Sequence, residues 1–227
     1  MWYNIVVGGN MNRNSKEYWN KDYWQKYLNQ NKGEKLDFLD DLWMEKYSDI
    51  FNTIPKGKAI DLGCGLGQYT DYLISKGFDV ISCDISSEAL VVLKNRNPKA
   101  NILELDMTTR LPFEDNSIKL VFANLSIHYF DEVTTKKLLD EIERILDKDG
   151  YFVGSVNSSK ALEKNKDKLV MIEPNYYLID GKYGRYFDRK QFDIFFKNYD
   201  LLILEEVITT RWNRTKIQWE FIAKPKK

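Results

Sequence analysis

The sequence predicts an α/β fold around a mostly parallel sheet, on three observations. Strand-like apolar runs alternate with amphipathic helical stretches from residue 58 to residue 156, the rhythm of parallel strands joined by crossover helices. A glycine-rich turn follows the first of those strands and leads directly into a helix. At the C-terminal end, two long strand-like runs at 201–208 and 216–223 are separated only by residues 209–215. That connection is too short for a crossover helix, so the last two strands pair antiparallel.

Taken in order, Leu36, Leu39, Trp43, Tyr47, Ile50 and Phe51 recur at helical spacing, and Pro55 and Gly57 mark the turn that ends this stretch. Residues 58–62 form a first strand and 68–76 a helix stopped by Gly77. Residues 78–83 are a second strand. Ser86 then caps a helix reaching about residue 95, which Asn97-Pro98 ends. Residues 101–105 are a third strand, and 118–125 a fourth, apolar enough to be buried on both faces. The helix at 131–146 carries Leu138, Leu139, Ile142, Ile145 and Leu146 on one face, and Asp149-Gly150 turns it into a fifth strand at 151–156. The rhythm then breaks. Residues 158–168 are polar, with 163–168 read as a solvated face, and 191–196 form a short helix before the terminal hairpin.

Bulk properties bound the function. A chain of 227 residues, 43% hydrophobic and 30% charged, accommodates one well-packed domain. Lys plus Arg equals Asp plus Glu at 34 each, so the basic excess of a duplex-binding protein is missing and nucleic acid ranks low among partners. The two cysteines, Cys64 and Cys83, form no C-x-x-C pair, and His128 is the single histidine. A thiolate zinc site and a His-rich cluster are thereby excluded, no metal is expected, and a reduced, cytoplasmic protein is the plain reading. Residues 1–14 contain only Ile5-Val6-Val7 before Gly8-Gly9, too short for a signal-peptide core or a membrane span. They are expected to be a flexible N-terminus, with Met11 serving equally well as an initiator. Residues 15–227 are expected to be one domain, a helical cap over 15–54 and a core over 55–227, acting as a monomer or homodimer away from membranes.

The chemistry concentrates at strand ends. Asp61-Leu62-Gly63-Cys64-Gly65-Leu66-Gly67 closes the first strand with glycines that let a ligand approach the backbone, and Asp61 is placed to hold an ammonium or an amide. Asp84, with Ile85, ends the second strand about 20 residues past the glycines, where an acid hydrogen-bonds the ribose hydroxyls of an adenosyl ligand. Asp106 ends the third strand, where it accepts from an adenine amino group while Met107 packs on the ring. Singly, each reads equally well as an ordinary strand-end acid or core methionine. Together, at three consecutive strand ends, they point to a ligand site.

These residues closely resemble the nucleotide-binding motif of class I S-adenosylmethionine-dependent methyltransferases, of the small-molecule type. Leu111-Pro112-Phe113-Glu114-Asp115-Asn116-Ser117-Ile118 resembles that family's loop before strand four, and Asn124-Leu125-Ser126-Ile127-His128-Tyr129-Phe130 its segment after it. The resemblance runs from about Leu36 to the C-terminus. It implies a Rossmann-like three-layer sandwich, with a seven-stranded mostly parallel sheet and an antiparallel C-terminal strand. It further implies S-adenosylmethionine as cofactor and S-adenosylhomocysteine as product, held by Asp61, Gly63, Cys64, Gly65, Gly67, Asp84, Ile85, Asp106, Met107, Asn124 and Leu125. The reaction implied is methyl transfer to an O or N of a small-molecule acceptor. The Asn/Asp-Pro-Pro-aromatic signature of amino-methylating nucleic-acid enzymes is missing at Asn124-Leu125-Ser126, and neither cysteine follows a proline as a cytosine-C5 nucleophile does.

His128 is either a general base or a structural, substrate-orienting histidine. Around Trp19, Tyr23 and Tyr27, the aromatic N-terminal stretch forms either a lid or a helix packed on the sheet. The connection at 175–187, with Tyr176, Tyr177, Tyr183, Arg185 and Tyr186, is expected to shape the acceptor pocket. Tyr23, Tyr27, His128, Tyr129, Tyr183 and Arg185 are the substrate candidates. Alternative readings are a protein or RNA methyltransferase and a non-catalytic S-adenosylmethionine-binding protein. A nicotinamide dehydrogenase is weaker, because Gln68 breaks the G-x-G-x-x-G spacing.

Overall fold

Apolar residues on both faces of the central strands demand a layer of packing on each side of the sheet. The computed structural model, which describes residues 16–30, 42–211 and 214–226, has that architecture. A π-helical segment (Tyr18–Trp24) continues as α1 (Gln25–Gln30), and a 3-10 turn (Trp43–Tyr47) runs into α2 (Ser48–Thr53). Then come β1 (Lys58–Leu62), α3 (Gln68–Ser75), β2 (Asp79–Asp84), α4 (Ser87–Arg96), β3 (Asn101–Glu104), β4 (Ile118–Asn124), α5 (Glu132–Ile145) and β5 (Leu146–Asn157). A 3-10 segment (Ser159–Lys168) leads to β6 (Val170–Glu173), β7 (Tyr176–Ile179) and β8 (Lys182–Arg185). The chain closes with α6 (Arg189–Phe195), β9 (Tyr199–Arg211) and β10 (Arg214–Pro225).

The seven-stranded sheet has the order β3-β2-β1-β4-β5-β10-β9. Neighbours from β3 to β5 pair parallel, while β10 pairs antiparallel with both β5 and β9. This is the Rossmann-like sandwich, including its antiparallel last strand. Along β4, Leu120 and Phe122 face one layer and Val121 and Ala123 the other. One layer packs α5 and α6 through Leu138, Ile142, Phe192 and Phe196. The other packs Trp43, Tyr47, Phe51, Tyr69 and Leu73.

Local signals set most boundaries. Ser86 caps α4 by accepting from the Ala89 amide, Asp131 caps α5 through Thr134, and Asp188 caps α6 through Gln191. The stretch expected to be one helix over 36–51 is a 3-10 turn followed by α2 in its described part, and Leu36 and Leu39 lie outside the described residues, as do residues 1–14. The 111–118 loop is held by Arg144, whose guanidinium donates to the carbonyls of Leu111 and Phe113 and pairs with Asp115 and Glu141.

Residues 170–185, to which no element is assigned from the sequence, form a separate antiparallel sheet, β6-β7-β8. The overlooked signal is Asp180-Gly181, a two-residue turn with both φ positive (48° and 77°) that pairs Ile179 with Lys182. No helix among the described residues is long and apolar enough to cross a membrane.

Candidate functional site

Strand order reverses between β1 and β4, and open α/β sheets bind ligands outside the carboxyl ends of their strands at such a point. A cavity of about 1200 Å³ lies there. Small-ligand sites occupy roughly 300–1,000 Å³, so this one has room for two molecules side by side.

One half of the cavity is lined by Asp61, Gly63, Cys64, Gly65, Asp84, Ile85, Asp106 and Met107. Its backbone is tied to β2 by the amides of Gly63 and Cys64, which donate to the Cys83 carbonyl at 2.7 and 2.9 Å. Asp84 completes the tie: one carboxylate oxygen accepts from the Gly65 amide and the other from the Ser86 amide, each at 2.8 Å. Burial raises the Asp84 pKa against those two hydrogen bonds. Asp61 is almost fully buried and accepts from Thr70 Oγ1 at 2.7 Å. Burial pushes its carboxyl up to about 7, with the Thr70 bond opposing and Asp84 and Asp71 adding to the rise. Burial likewise raises the Cys64 thiol. Asp106 is exposed at the rim, accepting from the Thr108 amide and hydroxyl.

Gly65 adopts φ 54°, and a Cβ there would stand 2.7 Å from the Trp24 ring, so only glycine suits the turn beneath that indole. Trp19, Tyr23, Trp24 and Tyr27 line the cavity from the N-terminal segment. Asn20 fastens this segment to the sheet: its Oδ1 accepts from Ser86 Oγ at 2.7 Å, and Lys16 pairs with Glu104. Trp19 in turn sets its ring edge-on to Tyr129 at 5.2 Å.

The other half is lined by Asn124, Leu125, His128, Tyr129, Tyr183 and Tyr186, together with Asn157, Thr210, Lys182 and Lys216. Asn124 Oδ1 accepts from Trp43 Nε1 at 3.0 Å and from Ser155 Oγ at 2.6 Å. Leu125 holds a left-handed φ of 50°, a conformation that costs of order 1–3 kcal/mol in a non-glycine residue. Its amide donates to the Ser155 carbonyl, and Ser126 Oγ donates to the Leu62 carbonyl, which together lock the strained turn. His128 is buried, and its Nδ1 has no hydrogen-bond partner among the described residues. Burial, helped by Lys182 and Lys216, holds its pKa well below 6.5, so the imidazole is neutral.

Two expected site residues fall elsewhere. Gly67 starts α3 with φ 80° and faces Leu93, where a Cβ would sit 2.3 Å away, so it serves helix packing and does not line the cavity. Arg185 is 1% exposed and also lies outside the cavity. A buried guanidinium needs its fork of donors satisfied, and here they meet the Phe130 carbonyl, Gln191 Oε1 and Glu173. The substrate role expected for Arg185 is therefore corrected to that of a strut anchoring β6-β7-β8. Lys182 and Lys216 were missed. Asp180-Gly181 is the signal that places Lys182, whereas Lys216 reaches the site only because β10 pairs with β5. No three His, Cys, Asp or Glu side chains among the described residues are grouped to hold a metal.

Comparison with known proteins follows this geometry. Residues 60–154 match a family model described as a methyltransferase domain. The chain is 28% identical over 140 residues to the eEF1A lysine and N-terminal methyltransferase of Bos taurus, covering 59% of this chain and 20% of that protein. It is 31% identical over 149 residues to the mitochondrial arginine-hydroxylase NDUFAF5 of Homo sapiens, covering 61% of this chain and 40% of that protein. It thus spans from about a fifth to two fifths of the length of these relatives. In fold it resembles the 1,6-didemethyltoxoflavin-N1-methyltransferase of Burkholderia thailandensis, solved with 1,6-didemethyltoxoflavin and S-adenosylhomocysteine. That match has a TM-score of 0.64 at 15% identity and covers 89% of this chain and 87% of the other.

Proposed function

We propose that the chain, residues 60–154 of which match a methyltransferase-domain model, transfers the methyl group of S-adenosylmethionine to an O or N of a small molecule. The observation that carries this reading is the convergence of Asp61, Asp84 and Asp106, from three successive strand ends, on a cavity that continues past Leu125 into an aromatic chamber. Asp84 would hold the ribose hydroxyls and Asp106 the adenine amino group. Asp61 would face the amino-acid ammonium, and Met107 and Ile85 would pack on the base. S-adenosylmethionine supplies the methyl group, displaced in line from its sulfonium.

What remains for the protein is alignment and the exclusion of water, and positioning contributes up to about 7–11 kcal/mol. The aromatic segment from Trp19 to Tyr27 roofs the site and would do both, and Tyr129 and Tyr183 would wall the acceptor. A roofed chamber favours a small acceptor over the side chain of a folded protein, the acceptor that one relative's name specifies. His128, neutral and buried, suits orientation of the acceptor better than proton abstraction.

Calorimetric titration with S-adenosylmethionine, S-adenosylhomocysteine and NADH, on the native chain and on Asp84→Ala, tests the reading. Binding of the two adenosyl ligands, weakened by the substitution, and no binding of NADH is the expected result. A folded chain that binds neither adenosyl ligand would overturn it.

A further inference from the structure

The charged side chains of the cavity are unevenly placed. Carboxylates gather at the glycine-loop end, whereas Lys182 and Lys216 line the chamber around His128. Two further acids line the cavity, Asp131, which caps α5 through the Thr134 amide, and Asp180, which pairs with Lys168 at 3.7 Å, but the charges acting on His128 are those of the two lysines. Lys182 is held in place by aromatic faces. Its ammonium lies 4.5 Å from the Tyr129 ring centroid and 4.9 Å from that of Trp19, and it donates to the Tyr129 hydroxyl at 3.2 Å. A lysine stacked this way is a fixed positive charge with an apolar surround.

We propose that the acceptor is an organic acid or acidic phenol that enters as its anion, with the charged oxygen drawn to Lys182 and Lys216 and its carbon body against Tyr23, Tyr129 and Tyr183. This rests on the donor reading above and adds the acceptor's chemical class. An oxyanion acceptor balances the reaction without a base. Its lone pair forms the new C–O bond, the S–CH3 bond breaks with its electron pair left on sulfur, and the anion and sulfonium charges cancel. No proton has to move, which accounts for a neutral, buried imidazole at the reacting end. A cationic amine would instead meet two ammonium groups in a low-dielectric chamber.

A nitrophenol, whose ionised form absorbs in the visible, reports the chamber's preference directly. 4-Nitrophenol would be titrated against pH with the full chain, with and without S-adenosylhomocysteine. The expected result is a bound pKa about one unit below the free one, a tenfold preference for the anion. Lys182→Met, which keeps an unbranched apolar side chain against the rings but removes the charge, and Lys216→Met should each cut that preference at least threefold while leaving S-adenosylhomocysteine affinity unchanged. Lys148→Met, exposed near the start of β5 and outside the cavity lining, should change neither. A preference for the neutral phenol, no binding of the phenol, or a preference untouched by both lysine substitutions would overturn the proposal. Failure to bind S-adenosylhomocysteine while the anion preference persists would sink the donor reading alone.

Discussion

The cavity's two ends are built from different material. At the glycine-loop end the walls are the tips of β1, β2 and β3, parallel strands in the middle of the sheet and on its β3 side, joined by backbone bonds to the Cys83 carbonyl and by Asp84. At the acceptor end the walls come from β8, from the long β9–β10 pair and from the turn at His128, and much of the surface is side chain. The first end repeats what the fold does in any case. The second depends on a separate three-stranded sheet tied to the core by the buried Arg185, by Tyr176, which donates to the Tyr129 carbonyl, and by Glu173, which accepts from the Glu132 amide.

Substitutions should separate the two ends. The largest effect is expected at the strut: Arg185→Met removes the guanidinium's bonds to Glu173, Gln191 and the Phe130 carbonyl, and each charged hydrogen bond contributes about 1.5–3 kcal/mol. Thermal unfolding should show that loss, with acceptor turnover falling while S-adenosylmethionine still binds to whatever remains folded. Equal loss of donor affinity in folded protein would mean that the ends are not independent.

Next in size is Asp84→Ala, which removes two amide-to-carboxylate bonds and the proposed ribose partner. At about 1.5–3 kcal/mol for each charged hydrogen bond, donor affinity measured by calorimetry should fall about 100-fold, with binding of 4-nitrophenol unchanged.

Asp61 sharpens the comparison through pH. Its folded pKa of about 7 lies above the ordinary 3.8, so the ligand-free folded chain holds a proton that the unfolded chain has lost. Stability from this group is complete below about pH 4 and is lost as pH rises through 7. Donor binding runs the other way, because an ammonium needs the carboxylate: affinity should drop up to tenfold per unit as pH falls below 7, with proton release on binding. Asp61→Asn should flatten both profiles; pH profiles unchanged by it would remove Asp61 from the ammonium site.

The smallest effect is expected at His128. A general base contributes about 10²–10⁴-fold, whereas a neutral orienting imidazole contributes far less, so His128→Asn should retain turnover within about tenfold in a labelled-methyl assay. A larger loss would move proton transfer into the acceptor end.

By itself the sequence determined the alternation of strands and helices from Lys58 to Val156, the antiparallel terminal pair, the cap at Ser86, and the acids at the ends of β1, β2 and β3. These are local matters: period, turn chemistry and the residue that ends a strand are all written within a few positions. Tertiary structure decided the rest. It put Trp24 over Gly65, turned Gly67 and Arg185 away from the cavity, and gave Leu125 its left-handed φ. It also brought Lys216 of β10 and Lys182 of β8 to one chamber. Apart from the Asp180-Gly181 turn beside Lys182, none of these has a short-range signature, because each depends on which elements lie beside which. Sheet order brings together residues that the sequence keeps far apart, and burial then sets the charge each one carries.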